Sequence, residues 1–341
     1  MRQLNDLMSR WQQQTHGVEQ QMPWLRSRLD AMSAVRETMP DHDPFDDEVR
    51  DWALHSGVYG TGNAQELEDL QLGRVTRLCV PDRPAGARWL IAKYFAWTTA
   101  TDDGMTDHGA DLTQIASTAS RVLRNGAAPQ DGSPTALVMS GIRDGLLRLD
   151  SADFLPTLAD LVAADLRAWQ EEQGYLSQET LPGPSDYLSL RTKEFDTLPM
   201  MAMHQWLLEP GGPDGLPGGR HAGLLSEITE LASLVAGLDN DLTGLLKDLA
   251  RPEPMNVVFV LALHHGVPLT TAVHMAVAVH EALRHRLDRL LTRVRTLPGT
   301  SPGLLQQAQA AVGWADALHT WFTSAPRYQL CSEPTHVARA L

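Results

Sequence analysis

Asn240, Gly244 and Asp248 recur at i, i+4 and i+8 in the stretch Asn240-Asp241-Leu242-Thr243-Gly244-Leu245-Leu246-Lys247-Asp248. On an α-helix that spacing sets them along one slowly drifting stripe. An amide oxygen and a carboxylate two turns apart form a ledge of hard oxygens suited to Mg²⁺, with a gap where a third ligand could sit. The segment from Leu231 to Leu249 is otherwise strongly apolar. Asn240, Asp241 and Asp248 therefore interrupt a stretch that tends to be buried, and buried carboxylates need a partner. A second acidic cluster, Asp102-Asp103-Gly104-Met105-Thr106-Asp107, lies far upstream. In a helix, Asp102 and Thr106 share one face, and Asp103 and Asp107 share the adjacent one. Carboxylates crowded at a helix C-terminus oppose its dipole, at a cost of about 0.3–1 kcal/mol each, and divalent cations would neutralise them. Taken singly, each cluster also has a plainer reading: a solvated acidic helix end upstream, a polar stripe with a packing glycine downstream.

The elements that must hold these residues read at helical period, with no convincing alternating strand. Helices are predicted over about 46–58, 64–78, 84–106, 111–125, 133–149, 156–177, 185–208, 222–250, 256–264, 269–296 and 301–324. Pro84 and Pro268 sit at helix starts, and Asn125-Gly126 sits at an end. The Pro/Gly-rich run Glu209 to Gly219 is a loop on composition alone. Because apolar helices flank it without a compositional shift, one all-α bundle over residues 26–341 is expected. Residues 1–25, rich in Gln and Arg, are expected to be peripheral or poorly ordered.

The chain has 341 residues and a formal charge of −14, with 43% hydrophobic and 21% charged residues. This composition is globular, and the charge argues against a nucleic-acid surface, which needs basic patches. Two cysteines, Cys79 and Cys331, make neither a disulfide framework nor a metal-ligand spacing. With no apolar leader at Met1–Asp6 and no run long enough to span a bilayer, a cytoplasmic protein is expected. His264 and His265 are adjacent and diverge on a helix, so they are a poor zinc pair. HExxH, GxSxG, P-loop and dinucleotide signatures do not occur in the sequence.

These residues carry a resemblance. Asp102-Asp103 with Asp107, followed by Asn240-Asp241-x-x-Gly244-x-x-Lys247-Asp248, is similar to the paired metal motifs of bacterial class I terpene synthases, an aspartate-rich DDxxD or DDxxxD/E and an NDxxSxxxE. Arg191, in Tyr187-Leu188-Ser189-Leu190-Arg191, resembles the family's diphosphate-sensing arginine. Arg327-Tyr328 resembles the RY pair near the C-terminus. Asn256 and His264-His265-Gly266 also fall where the family has counterparts. Four motifs in this order and at these separations, covering about residues 45–330, make the likeness specific.

The resemblance implies an all-α, single-domain class I terpenoid synthase bundle around a central cavity. It implies three Mg²⁺ ions held by Asp102, Asp103, Asp107, Asn240 and Asp248. Arg191, Lys247, Arg327 and Tyr328 would then donate hydrogen bonds to the diphosphate of an isoprenyl substrate, and Trp321 would face the resulting cation. Tyr94, Phe95 and Trp97 are expected in the core. Farnesyl diphosphate and a sesquiterpene product lead, and geranylgeranyl diphosphate follows because Thr98, Thr99 and Thr101 are small. A chain-elongating prenyltransferase fits less well, since the second motif opens on Asn240 and His108-Gly109 follow Asp107. A catalytically eroded helical protein is a further alternative. No nucleic-acid partner is expected, and whether the chain pairs as a homodimer stays open. The departures are Gly244 for serine, Asp248 for glutamate, Thr106 in the fifth place of the first motif, and Phe195 where relatives carry a small residue. At Gly244 a water is expected to complete the coordination, since Thr243 points about 100° away.

Overall fold

The computed structural model describes residues 2–33, 43–60, 64–81, 83–108, 111–126, 132–208, 221–251 and 253–329. Among these residues there are helices and turns but no strand. The Glu209–Gly219 loop and Cys331 lie outside them, as do the side chains of Asp103 and Asp107, whose backbone continues a helix.

The chain opens with α1 (Arg2–Gln12) and α2 (Thr15–Asp30). Their apolar residues recur at helical spacing, and Met8, Trp11, Val18, Met22, Leu25 and Leu29 are all buried. Trp11 stacks on Phe259 with ring centroids 5.0 Å apart. The N-terminal segment thus forms two helices that pack on the bundle through these residues.

Next come α3 (Pro44–His55), α4 (Ala64–Leu70), α5 (Leu72–Cys79), α6 (Ala85–His108), α7 (Leu112–Asn125) and α8 (Pro134–Arg148). The segment read as one helix over 64–78 is broken at Gln71, which sits in the left-handed region at φ 54°. Asp46 of α3 holds the break, accepting hydrogen bonds at Oδ1 from the backbone N–H of Gly73 (2.7 Å) and Arg74 (3.3 Å). A carboxylate at a helix N-terminus is favourable on both hydrogen-bonding and dipole grounds.

Then follow α9 (Leu155–Ser177), α10 (Pro184–Glu194), α11 (Thr197–Leu208), α12 (Ala222–Ala250), α13 (Val257–His265), α14 (Leu269–Thr296), α15 (Pro302–Ser324) and the short α16 (Pro326–Gln329). The predicted 185–208 helix is interrupted at Phe195–Asp196, with Asp196 at φ 56°. Pro199 explains the break: it has no N–H for the carbonyl four residues earlier, and its ring would collide with that carbonyl.

α12 is the axis that positions the site. On its early turns, Leu225, Ile228, Leu231 and Val235 join a core shared with α3–α9, α11 and α15. Its later turns, through Leu238, Leu242, Leu245 and Leu249, belong to a second core with α1, α2, α13 and α14. Being packed on both sides fixes its rotation, and with it the direction of the Asn240–Asp248 stripe.

Candidate active site

A cavity of about 850 Å³ opens among α4, α6, α9, α10, α11, α12, α15 and α16. Asp102, Arg191, Asn240, Lys247, Asp248, Trp321, Arg327 and Tyr328 all line it. Every sequence-nominated site residue whose side chain is described therefore meets the others at one cavity. Asp103 and Asp107 cannot be placed, because their side chains lie outside the described residues.

The α12 wall is densely bonded. Arg191 Nη2 donates to Asn240 Oδ1 at 3.0 Å and pairs with Asp241 Oδ1 at 2.7 Å. Its Nη1 binds Glu194 Oε1 at 2.6 Å. The guanidinium also donates to the Gly237 carbonyl and lies 4.9 Å from the Phe195 ring centroid. A Cβ at Gly237 would come within 3.1 Å of Arg191 Cγ, so glycine lets the arginine lie along the helix backbone. Burial alone would ease the proton off Arg191, but the carboxylates of Asp241 and Glu194 hold it well above its ordinary value. Tyr187 adds a hydrogen bond from its hydroxyl to Asp241 Oδ2 at 2.6 Å.

One turn further, Lys247 Nζ lies 3.0 Å from Asp248 Oδ1 and 2.8 Å from Glu253 Oε2. Asn256 Nδ2 donates to Asp248 Oδ2 at 2.8 Å and to the Asp241 carbonyl at 2.8 Å. Burial pushes the Asp248 carboxyl up to about 6, more than Lys247 and Asn256 pull it down. Two carboxylates share one ammonium, so each is only partly compensated while the ammonium is held firmly protonated. Asn240 completes the row, donating from Nδ2 to Tyr328 Oη at 3.2 Å.

The facing wall is different. Asp102 is exposed near the end of α6. Glu172 and Asp196 also line the cavity. Burial, and then repulsion from Glu194 at Glu172 and from Asp165 at Asp196, raise both carboxyls well above the usual range, with Asp102 contributing to each and Arg191 opposing. Glu172, Asp196 and Glu253 are not among the residues read from sequence, and Asp241 is read there only as a buried carboxylate in need of a partner. Glu194 at i+3 from Arg191 is a readable signal for a pair. Asp196 has none until the Pro199 break is placed.

Between the walls the lining is apolar: Phe95, Trp169, Met200, Leu318, Trp321 and Phe322. Trp321 is buried and fixed by a hydrogen bond from Nε1 to the Leu70 carbonyl at 2.6 Å. Phe95 and Tyr328 meet it edge-on, with centroids 5.3 Å and 5.4 Å away. Tyr94 and Trp97 do belong to the core, where they donate to Asp165 and Thr135.

The donor set suits a hard divalent cation: amide and carboxylate oxygens, with no thiolate or imidazole among the described lining residues. Arg191 and Lys247 hold the Asn240 and Asp248 oxygens.

Comparison with known proteins places this architecture. The solved 2-methylisoborneol synthase from Streptomyces coelicolor A3(2), in complex with Mg²⁺ and 2-fluoroneryl diphosphate, superposes with a TM-score of 0.71 at 20% identity, covering 86% of this chain and 96% of that one. The fold is that of class I terpene synthases. Residues 93–286 match terpene synthase family 2, C-terminal metal binding, and the chain belongs to this family of metal-dependent terpene synthases. Spiroviolene synthase of Streptomyces violens is 28% identical over 259 residues, spanning 73% of this chain and 70% of its own. Pristinol synthase of Streptomyces pristinaespiralis is 26% identical over 260 residues, spanning 73% and 68%. Among the described residues no single helix is long and apolar enough to cross a membrane.

Proposed function

We propose that this terpene cyclase ionises farnesyl diphosphate with Mg²⁺ and cyclises the resulting allylic cation to a sesquiterpene, releasing diphosphate. The observation that carries the reading is the joint lining of one cavity by Asp102, Arg191, Asn240, Lys247, Asp248, Arg327 and Tyr328 above an aromatic floor. The Mg²⁺ and 2-fluoroneryl diphosphate bound by the 2-methylisoborneol synthase support the cofactor and the substrate class.

Asp102, Asp103 and Asp107 on one wall, with Asn240 and Asp248 on the other, are the proposed ligands. Bound Mg²⁺ ions, three by family analogy, supply the positive charge that offsets the diphosphate. Arg191, Lys247, Arg327 and Tyr328 are the proposed hydrogen-bond donors to the diphosphate oxygens. As the allylic C–O bond breaks, its electron pair stays with the diphosphate, and these donors stabilise the charge that develops there. The carbon skeleton is left as a cation between Phe95, Trp321 and Phe322, whose faces attract positive charge and whose bulk excludes water. Loss of a C–H proton or capture of water then ends the sequence.

A second substrate, geranylgeranyl diphosphate, is favoured by one feature: Thr98 and Thr99, which are small, line the cavity next to Phe95. Incubation with Mg²⁺ and the ten-, fifteen- and twenty-carbon diphosphates tests the proposal. A cyclic fifteen-carbon product with diphosphate release is expected. A twenty-carbon product moves the assignment to the second substrate. A lengthened diphosphate, or no turnover with any of the three, overturns it.

A further inference from the structure

α12 offers Asn240 and Asp248 to a metal but has glycine between them. A Cβ at Gly244 would meet nothing closer than Asp248 Oδ1 and Lys247 Cε, both at 3.8 Å, and then Asp248 Oδ2 at 3.9 Å. The space where a side-chain ligand is missing is therefore bordered by the Asp248 carboxylate and the end of Lys247. The Lys247 ammonium sits at that border, between Asp248 Oδ1 at 3.0 Å and Glu253 Oε2 at 2.8 Å.

Two carboxylates from different segments thus converge on a cation beside Gly244. The turn after α12 brings the second one back. Glu253 donates its backbone N–H to the Asp248 carbonyl at 3.1 Å. Asn256, which caps α13, anchors the far side of this turn to Asp248 Oδ2 and to the Asp241 carbonyl. Glu253 also lines the cavity.

We propose that Glu253 is the third protein ligand of the ion held by Asn240 and Asp248, replacing the side chain that Gly244 lacks. This rests on the metal-dependent reading above. The ammonium between the two carboxylates is the observation independent of any motif: Asp248 and Glu253 already converge on one cation. A glutamate reaching back from the turn also suits the shorter Asp248, because its extra methylene lengthens the reach. Its second negative charge raises affinity for a hard dication beyond what a water could add. Lys247, no longer needed between the carboxylates, is then available to the diphosphate.

Mn²⁺ uptake in the presence of inorganic diphosphate, followed by loss of the free-ion electron paramagnetic resonance signal, tests this without turnover. Wild type, Glu253→Gln, Gly244→Ser and the double variant are compared, with melting curves to verify folding. Glu253→Gln should weaken one Mn²⁺ site by about tenfold or more, since even outer partners of a bound metal are worth that much. Gly244→Ser, for which the structure has room, should restore most of that affinity in the double variant. Uptake by Glu253→Gln equal to wild type overturns the inference alone and leaves a water at that position. An unrescued double variant also overturns it, because the loss then comes from the broken Lys247 pair. A wild-type protein that takes up no Mn²⁺ overturns the metal reading itself.

Discussion

The two walls of the cavity hold chemically similar groups in opposite states. On α12, Asn240, Asp241 and Asp248 are each engaged by a cation or an amide: Arg191, Lys247 or Asn256. On the α6 side, Asp102 is exposed, and it repels both Glu172 and Asp196. One wall is balanced in the sense that protein cations engage its carboxylates; on the other, burial and repulsion hold the buried carboxyls toward their neutral form. The balanced wall is integrated into the bundle, so damage there should reach both stability and chemistry. The acidic wall should matter to chemistry alone.

The largest expected effect breaks the balanced wall. Arg191→Ala leaves Asp241 and Glu194 buried without their cation, and breaking such a pair costs about 3–5 kcal/mol. A thermal or denaturant melt should show that loss together with the loss of turnover. Arg191→Lys should recover little, since an ammonium cannot span Asn240, Asp241 and Glu194 as the planar fork does. Asp102→Asn provides the contrast. Activity, assayed as diphosphate release, should fall by about 10²–10³-fold, the scale of one preorganised electrostatic contact. Its melting should stay within about 0.5 kcal/mol of wild type. An equal loss of stability in both variants would erase the distinction between the walls.

What was legible in the sequence follows the same division. The stripe on α12 could be read because an apolar helix was interrupted at fixed spacing, and the cavity brings its Asn240 and Asp248 to Asp102, Arg191 and Arg327. The carboxylates Asp196 and Glu253 could not be read, because they are set by a helix break and a turn rather than by periodicity, and Glu172 sits inside α9 with no motif around it. Pro199 carried the signal for one break, yet the strongly apolar run around it masked the interruption. Gln71 carried none, since Asp46 on another helix holds that break from outside. The N-terminal helices were visible as Val18, Met22, Leu25 and Leu29 at spacings of four and three, but Gln-rich composition outweighed the pattern.

A titration outside both walls serves as the control for pH experiments. His204 on α11 is held down to about 4 by burial and by the charge of Arg83, and its Nδ1 accepts from Trp314 Nε1 at 3.1 Å. The folded value lies below the ordinary 6.5. The neutral ring therefore contributes stability that is complete above pH 6.5 and lost as pH falls through about 4. Acidification should cost up to roughly 3 kcal/mol from this group, and His204→Gln, which keeps an acceptor for Trp314, should flatten that part of the stability–pH curve. The smallest effect belongs to the cavity floor. Trp321→Phe keeps an aromatic face but loses the bond to Leu70, so stability should drop by about 1 kcal/mol while the product spectrum shifts.

The central claim is that the two walls work together by holding Mg²⁺ against a diphosphate. Its most direct test is diphosphate release from farnesyl diphosphate as protein stripped with a chelator is titrated with Mg²⁺. The account predicts no release until Mg²⁺ is added, and a requirement displaced to higher Mg²⁺ in Asn240→Ala. Release in the presence of chelator, or full activity of Asn240→Ala at the wild-type Mg²⁺ concentration, would contradict it.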